Sequence, residues 1–349
     1  MSLAWLLLQF ALCAVLIARA GYMLSVSADA LAQAYGWGRG WVGLALLATV
    51  TSLPELASGI SAVALVDAPN LAVGNALGAC VVNMLLLAVV DVLQRHQPLY
   101  QEASSNHLLS AGFGVIMLGF VALSLLTGQG TPSLLHVGVY SPLLLLLYLL
   151  ALKAVHSHEH RDSAAIANQP TEVSAGRPTT TAGYNAAGAW ANRHREWRRF
   201  AAASFVVLAA GMWLPAVADR LAPALGLSAS FVGTVLMAFV TTLPEIAVTL
   251  GTLRLGALDM AIGNLLGSNL FNVAVLAVDD LFYMRGPLLS EVSTVHTGTA
   301  VTALVMSGLV IVGLVMRPKG QVLRVVSWVS VGLVATYAMN AAVIYLGHA

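Results

Sequence analysis

Two glutamates carry the most informative chemistry in this sequence. Glu55 ends the run Thr51-Ser52-Leu53-Pro54-Glu55, and Glu245 ends Thr241-Thr242-Leu243-Pro244-Glu245. Each lies near the middle of a long apolar stretch, where an isolated charge costs about 3 kcal/mol or more. The adjoining proline removes a backbone N–H and clashes with the turn before it. A helix therefore kinks there, and carbonyls near Thr51 and Thr241 lose their partners. Free carbonyls beside a carboxylate and hydroxyls form an all-oxygen cluster, which suits hard cations such as calcium or sodium. A site for soft transition metals would use Cys or His, and neither stands in these motifs. The stretch that follows each motif adds a polar stripe. Asn75, Ala79 and Asn83 are spaced four apart, as are Asn264, Ser268 and Asn272, so each trio lines one helix face. Gly74, Gly78, Gly263 and Gly267 let helices approach closely, which explains the glycines but not the amides in line with them.

Elements able to hold such residues must be membrane spans. Of the 349 residues, 59% are hydrophobic and only 9% charged, and the mean hydropathy is +0.85. That balance excludes a soluble enzyme, a disordered chain and a nucleic-acid module, the last also because the net charge is only +1. Spans of about 20 apolar residues are expected at 3–22, 40–65, 71–93, 107–127, 134–155, 200–217, 229–253, 257–281, 295–316 and 323–346. The first lacks the positive leader of a signal peptide and reads as a mature helix. Cys13 and Cys80 fall inside apolar runs and read as small core residues.

An internal repeat orders these spans. Residues 28–91 match 218–280 at an offset of 190, then 189. Ala28-Asp29 answers Ala218-Asp219, Gly36 answers Gly226, Val42-Gly43 answers Val232-Gly233, and Gly74-Asn75 answers Gly263-Asn264. Asp91 answers Asp280, which Asp279 precedes; these read as interfacial caps or ion-pair partners, or as attractors of cations to a pathway mouth. Five spans separate equivalent positions, so the copies cross the membrane in opposite senses, the architecture of alternating-access transporters. The expected fold is an all-α integral membrane protein of ten transmembrane helices, built as two inverted five-helix repeats. The halves are 1–155 and 200–349, joined by a flexible cytoplasmic linker, 156–199, without helical apolar period. His156, His158 and His160 could hold a metal loosely there, but without zinc spacing. Fourteen of the 16 Lys and Arg fall in loops after odd-numbered spans. The positive-inside rule places those loops in the cytoplasm and both termini outside, with Arg193–Arg199 at anionic headgroups.

The paired motifs, each followed by a Gly-Asn-x-x-Gly stretch, resemble the alpha repeats of the calcium/cation antiporter superfamily, in particular its sodium/calcium exchanger branch. Gly263-Asn264-Leu265-Leu266-Gly267-Ser268-Asn269-Leu270-Phe271-Asn272 is the most specific stretch. The resemblance implies that both repeat glutamates ligate cations, with hydroxyls, carbonyls and polar groups of the next span completing the sites. Carried over, the set is Ala48, Thr51, Ser52, Glu55 and Asn83, with Ala238, Thr241, Thr242, Glu245, Ser268 and Asn272. Ala48 and Ala238 would offer carbonyls only. Two departures stand out: the family often has Asp where Asn272 stands and Ser where Ala79 stands.

The expected function is secondary antiport of calcium against sodium by a single chain in the cytoplasmic membrane, without cofactor or enzymatic activity. Calcium/proton exchange is the nearest alternative. A channel would call for a continuous pore and usually a symmetric oligomer, and a hydrolase for a nucleophile with its base or a His-ligated metal. The sequence favours neither.

Overall fold

The computed structural model describes residues 2–35, 47–94, 99–104, 106–167, 186–318, 321–322 and 326–346. Helix α1 (Leu3–Ala34) continues past the expected end at residue 22. Leu24, Ala28 and Leu31 keep its packed face apolar, and the Ser25 hydroxyl is absorbed by the Gly21 carbonyl at 2.9 Å. The next span is broken where Pro54 predicts. Helix α2 (Ala48–Thr51) stops at Ser52, and α3 (Leu53–Ser61) begins afresh with the proline in its first turn. A π-helical turn, Ala62–Val66, follows. Residues 40–46 of this expected span, and the repeat positions Gly36, Val42 and Gly43, lie outside the described residues.

Helix α4 (Pro69–Leu93), the short α5 (Leu99–Glu102) and α6 (His107–Thr127) lead to a two-stranded hairpin, β1 (Ser133–Leu134) with β2 (Val137–Gly138). Helix α7 (Tyr140–Ala167) ends the first half. The second half runs α8 (Ala186–Leu225), α9 (Ala229–Phe231), a π-helical turn Val232–Met237, α10 (Ala238–Thr241) and α11 (Leu243–Arg254). Helices α12 (Leu258–Phe282) and α13 (Val295–Met316) follow, then the hairpin β3 (Gln321–Val322) with β4 (Val326–Ser327) and α14 (Trp328–Leu346).

Among the described residues eight helices are long and apolar enough to cross a membrane, so the chain is an integral membrane protein. The segments Ala229–Thr241 and Leu243–Arg254 meet at 42° and make a ninth if they form one broken span. Two expectations are corrected. The spans expected from 134 and 323 open with hairpins, because buried aspartates draw the backbone N–H groups of Gly138 and Ser327 out of any helix. The expected linker 156–199 is helical at both ends, since α7 reaches Ala167 and α8 starts at Ala186. Ala, Glu and Arg there favour helix without needing an apolar stripe. Residues 168–185 lie outside the described residues, as do the side chains of His158 and His160.

The core is built around α4 and α12, which are buried along most of their length. Helix α1 packs along α8, α6 along α13, α7 against α12, and α14 against α4. The repeat extends well beyond its legible segment. His107 meets Asp259 at 3.0 Å, and its counterpart His296 meets Asn70 at 3.2 Å. The Asp280 carboxylate takes N–H bonds from Leu288 at 2.6 Å and Gly138 at 2.8 Å, with hydroxyl bonds from Ser141 and Tyr140. Asp91 repeats the pattern, taking N–H bonds from Leu99 at 3.1 Å and Ser327 at 2.8 Å and a hydroxyl from Ser330 at 2.6 Å. Three of these donors stand 189 residues from their counterparts. Both aspartates are therefore caps that pin hairpins to helix ends.

Glycine fits the two halves together. Gly21 on α1 lies against Pro244, and its counterpart Gly211 on α8 lies against Pro54 and Ala57. A Cβ at Gly21 would strike Pro244, and one at Gly211 would crowd Pro54 and Ala57 in the elbow of the other repeat.

Candidate cation-binding site

Each proline elbow presents its polar residues to the other copy. Pro54 and Pro244 carry no N–H, so the carbonyls four residues back lose their helical donor. The chain ends one helix at that point and starts another, with Ser52 and Thr242 between. Thr51, Ser52, Glu55, Thr241, Thr242 and Glu245 are all fully buried.

The Ser52 hydroxyl donates to Glu245 Oε1 at 2.8 Å. Thr51 and Ser268 also lie beside Glu245, while Thr241 and Thr242 lie beside Glu55. The polar stripes of α4 and α12 close the cluster. Thr51 Oγ1 stands 3.4 Å from Asn264 Oδ1, and its counterpart Thr241 Oγ1 stands 3.0 Å from Asn75 Oδ1. The Ser268 hydroxyl stands 3.3 Å from that of Thr51 and 3.4 Å from the Ala48 carbonyl. The Ala238 carbonyl accepts from Thr242 at 2.6 Å and from Thr241 at 3.2 Å. Helices α4 and α12 cross where Cys80 meets Asn269, and the Asn269 amide donates to the Cys80 carbonyl at 3.2 Å. These residues stand 189 apart, so a residue here touches its own counterpart and the crossing marks the axis relating the copies.

Several of these groups lack protein partners among the described residues. Both oxygens of Glu55, Glu245 Oε2, Asn83 Oδ1 and both polar atoms of the Asn272 amide are buried without a hydrogen bond. Native interiors seldom leave so many polar atoms unpaired in one place, and a bound ion or water is the usual explanation. The oxygens available are carboxylate, amide, hydroxyl and carbonyl, a donor set that fits calcium or sodium.

All eleven residues expected for the site thus fall on the elbows and on the two stripes facing them. Nine converge through the contacts above. Asn83 is tied instead to Asn269, donating to its Oδ1 at 3.0 Å, and Asn272 makes no hydrogen bond. Asn75 and Asn264 belong to the cluster although the expected set omitted them; their place in the repeated stripes was the available signal. Asn269 had no such signal, since its counterpart is a cysteine.

Comparison with known proteins gives this geometry a family. The model of the family described as "Sodium/calcium exchanger protein" matches twice, over residues 5–154 and 197–346. The chain belongs to the sodium/calcium exchanger protein family. This exchanger-family chain is 26% identical over 254 residues to the inner membrane protein YrbG of Escherichia coli (strain K12), covering 72% of each chain. It is 27% identical over 242 residues to the putative antiporter CaxA of Alkalimonas amylolytica, covering 68% of each. A structure of the sodium-calcium exchanger NCX_Mj, soaked with sodium and strontium, superposes with a TM-score of 0.62 at 20% identity. That match covers 98% of this chain and 99% of the other and shows a shared fold.

Proposed function

We propose that this family member is a secondary antiporter that moves calcium across the cytoplasmic membrane in exchange for sodium, by alternating access. The observation that carries the reading is the buried cluster in which Glu55 and Glu245, from separate repeats, lie among hydroxyls of the opposite copy. Two carboxylates balance one calcium ion. When calcium leaves, two like charges remain close together away from water, so monovalent cations must replace it. The hydroxyls of Thr51, Thr241 and Ser268 are suitable ligands for sodium.

The ligands we assign are Glu55, Glu245, Thr51, Thr241, Ser52, Thr242, Asn83, Asn272 and Ser268, with the carbonyls of Ala48 and Ala238. The architecture we assign is ten spans in two inverted halves, 1–155 and 200–349, functional as a single chain. Both termini face outward and the connection 156–199 faces the cytoplasm. Inverted repeats within one chain favour rocking about a central site over a continuous pore. Calcium/proton exchange is the second reading, and it is favoured by Asn272, which brings no negative charge to the cluster. Calcium flux in proteoliposomes under separately imposed sodium and pH gradients tests both.

A further inference from the structure

Asp279, near the end of α12, is fully buried, and neither carboxylate oxygen has a hydrogen-bond partner among the described residues. Its neighbour Asp280 is saturated by the donors of the hairpin and α7. Asp279 lies instead against bare backbone: a Cβ added to Gly59 would collide with both of its oxygens. Gly59 stands four residues beyond Glu55, one turn farther along the same face of α3. The internal repeat shows that this arrangement occurs on one side only. Val90 stands where the repeat would place Asp279, and Thr249 where it would place Gly59.

A sodium or calcium ion takes several oxygen ligands, and Gly59 supplies no side-chain oxygen. A buried charge without partner is strongly unfavourable. A proton neutralises the carboxylate and needs no further ligand.

We propose that Asp279 is a proton-binding site coupled to the exchange cycle. It holds a proton while Gly59 covers it, and releases the proton when α3 shifts and admits water. The coupling rests on the antiporter reading above, whereas the protonation rests on Asp279 alone. Other titratable groups on the elements around α12 are placed as follows. Glu55 on α3 is one turn from Gly59, and Glu245 on α11 and Cys80 on α4 belong to the central cluster. Asp91 on α4 is held by its own hairpin, and His107 on α6 pairs with Asp259 at the far end of α12. On α7, Tyr140 donates to Asp280 and Tyr148 packs edge-on against Phe271, with Lys153 and His156 farther along. Asp67, past the π-helical turn, pairs with Arg285.

Two measurements on the full chain test this. Isotope-edited infrared spectroscopy of aspartate-labelled protein should show a protonated aspartic-acid carbonyl band that changes with pH and disappears in Asp279→Asn. Absence of such a band in the labelled unsubstituted protein overturns the proposal, whatever the variant's folding. In proteoliposomes under a fixed sodium gradient, Asp279→Asn should reduce the proton movement that accompanies calcium efflux, read with an internal pH dye, to below about a tenth, while calcium–calcium counterflow stays within about threefold. Absence of accompanying proton movement in the unsubstituted protein, or undiminished movement in the variant, also overturns the coupling. A protein that passes the infrared test but shows no calcium counterflow would refute the antiporter reading and the coupling, leaving the proton site itself in place.

Discussion

The hydroxyl of Ser52 donates to Glu245 Oε1 at 2.8 Å across 193 residues of chain. This bond joins the elbow of one repeat to the acid of the other, so neither half can complete the cluster alone. Charge-assisted bonds of this kind are worth about 1.5–3 kcal/mol. Ser52→Ala should therefore weaken calcium dependence by roughly tenfold or more while leaving some transport, read as the calcium concentration for half-maximal uptake.

Removing either carboxylate should do far more. On the proposed assignment, Glu55→Gln and Glu245→Gln each withdraw one of the two charges that balance calcium, a loss of roughly 3 kcal/mol or more in a site screened from water. Each variant should reach the membrane in normal amounts and show no measurable calcium exchange. Near-normal uptake by either would remove the glutamates from the site.

Asn272 lies in the polar stripe of α12 with both amide atoms unpaired among the described residues. Asn272→Asp adds a third negative charge to the proposed ligand set. The expected outcome is a change in the sodium dependence of calcium efflux larger than any change in membrane insertion. Acid pH should inhibit uptake by competition at the glutamates, and raising calcium should restore it. Inhibition that calcium does not relieve would place the competing proton elsewhere.

The paired elbows were legible because proline and glutamate in a repeated apolar context permit few physical readings. The stripes of α4 and α12 were legible for the same reason, through Asn75 and Asn264. The aspartate caps were only half visible. Asp91 and Asp280 stood out, but their partners are largely backbone N–H groups, which any residue supplies, and Gly138 and Ser327 share no side-chain chemistry. The hairpins were hidden likewise, since their apolar residues read as the start of a span. The helical ends of 156–199 were missed because propensity, not periodicity, forms them.

The caps imply a separation of stability from transport. Asp280 accepts four hydrogen bonds, and Asp280→Asn turns an NH2 group toward donors that need an acceptor. A loss of about 3 kcal/mol of stability is expected, seen as a lower unfolding temperature in detergent. The protein that survives should keep the sodium dependence of the unsubstituted chain; a shifted dependence at normal stability would give Asp280 a role in the ion pathway.

Replacement of residues 168–185 by a Gly/Ser segment of equal length should leave exchange intact. The family matches end at 154 and resume at 197, and the segment has no counterpart in either repeat. A flexible segment of that length keeps the reach between α7 and α8. Loss of transport in a variant that reaches the membrane would make the segment part of the transport machinery.

Calcium efflux from proteoliposomes, followed while the sodium and pH gradients are varied one at a time, addresses the central claim most directly. Sodium on the side opposite to calcium should drive efflux at constant pH, and Glu245→Gln should abolish that response. Efflux that follows the pH gradient and ignores sodium would contradict the account and make the protein a calcium/proton antiporter.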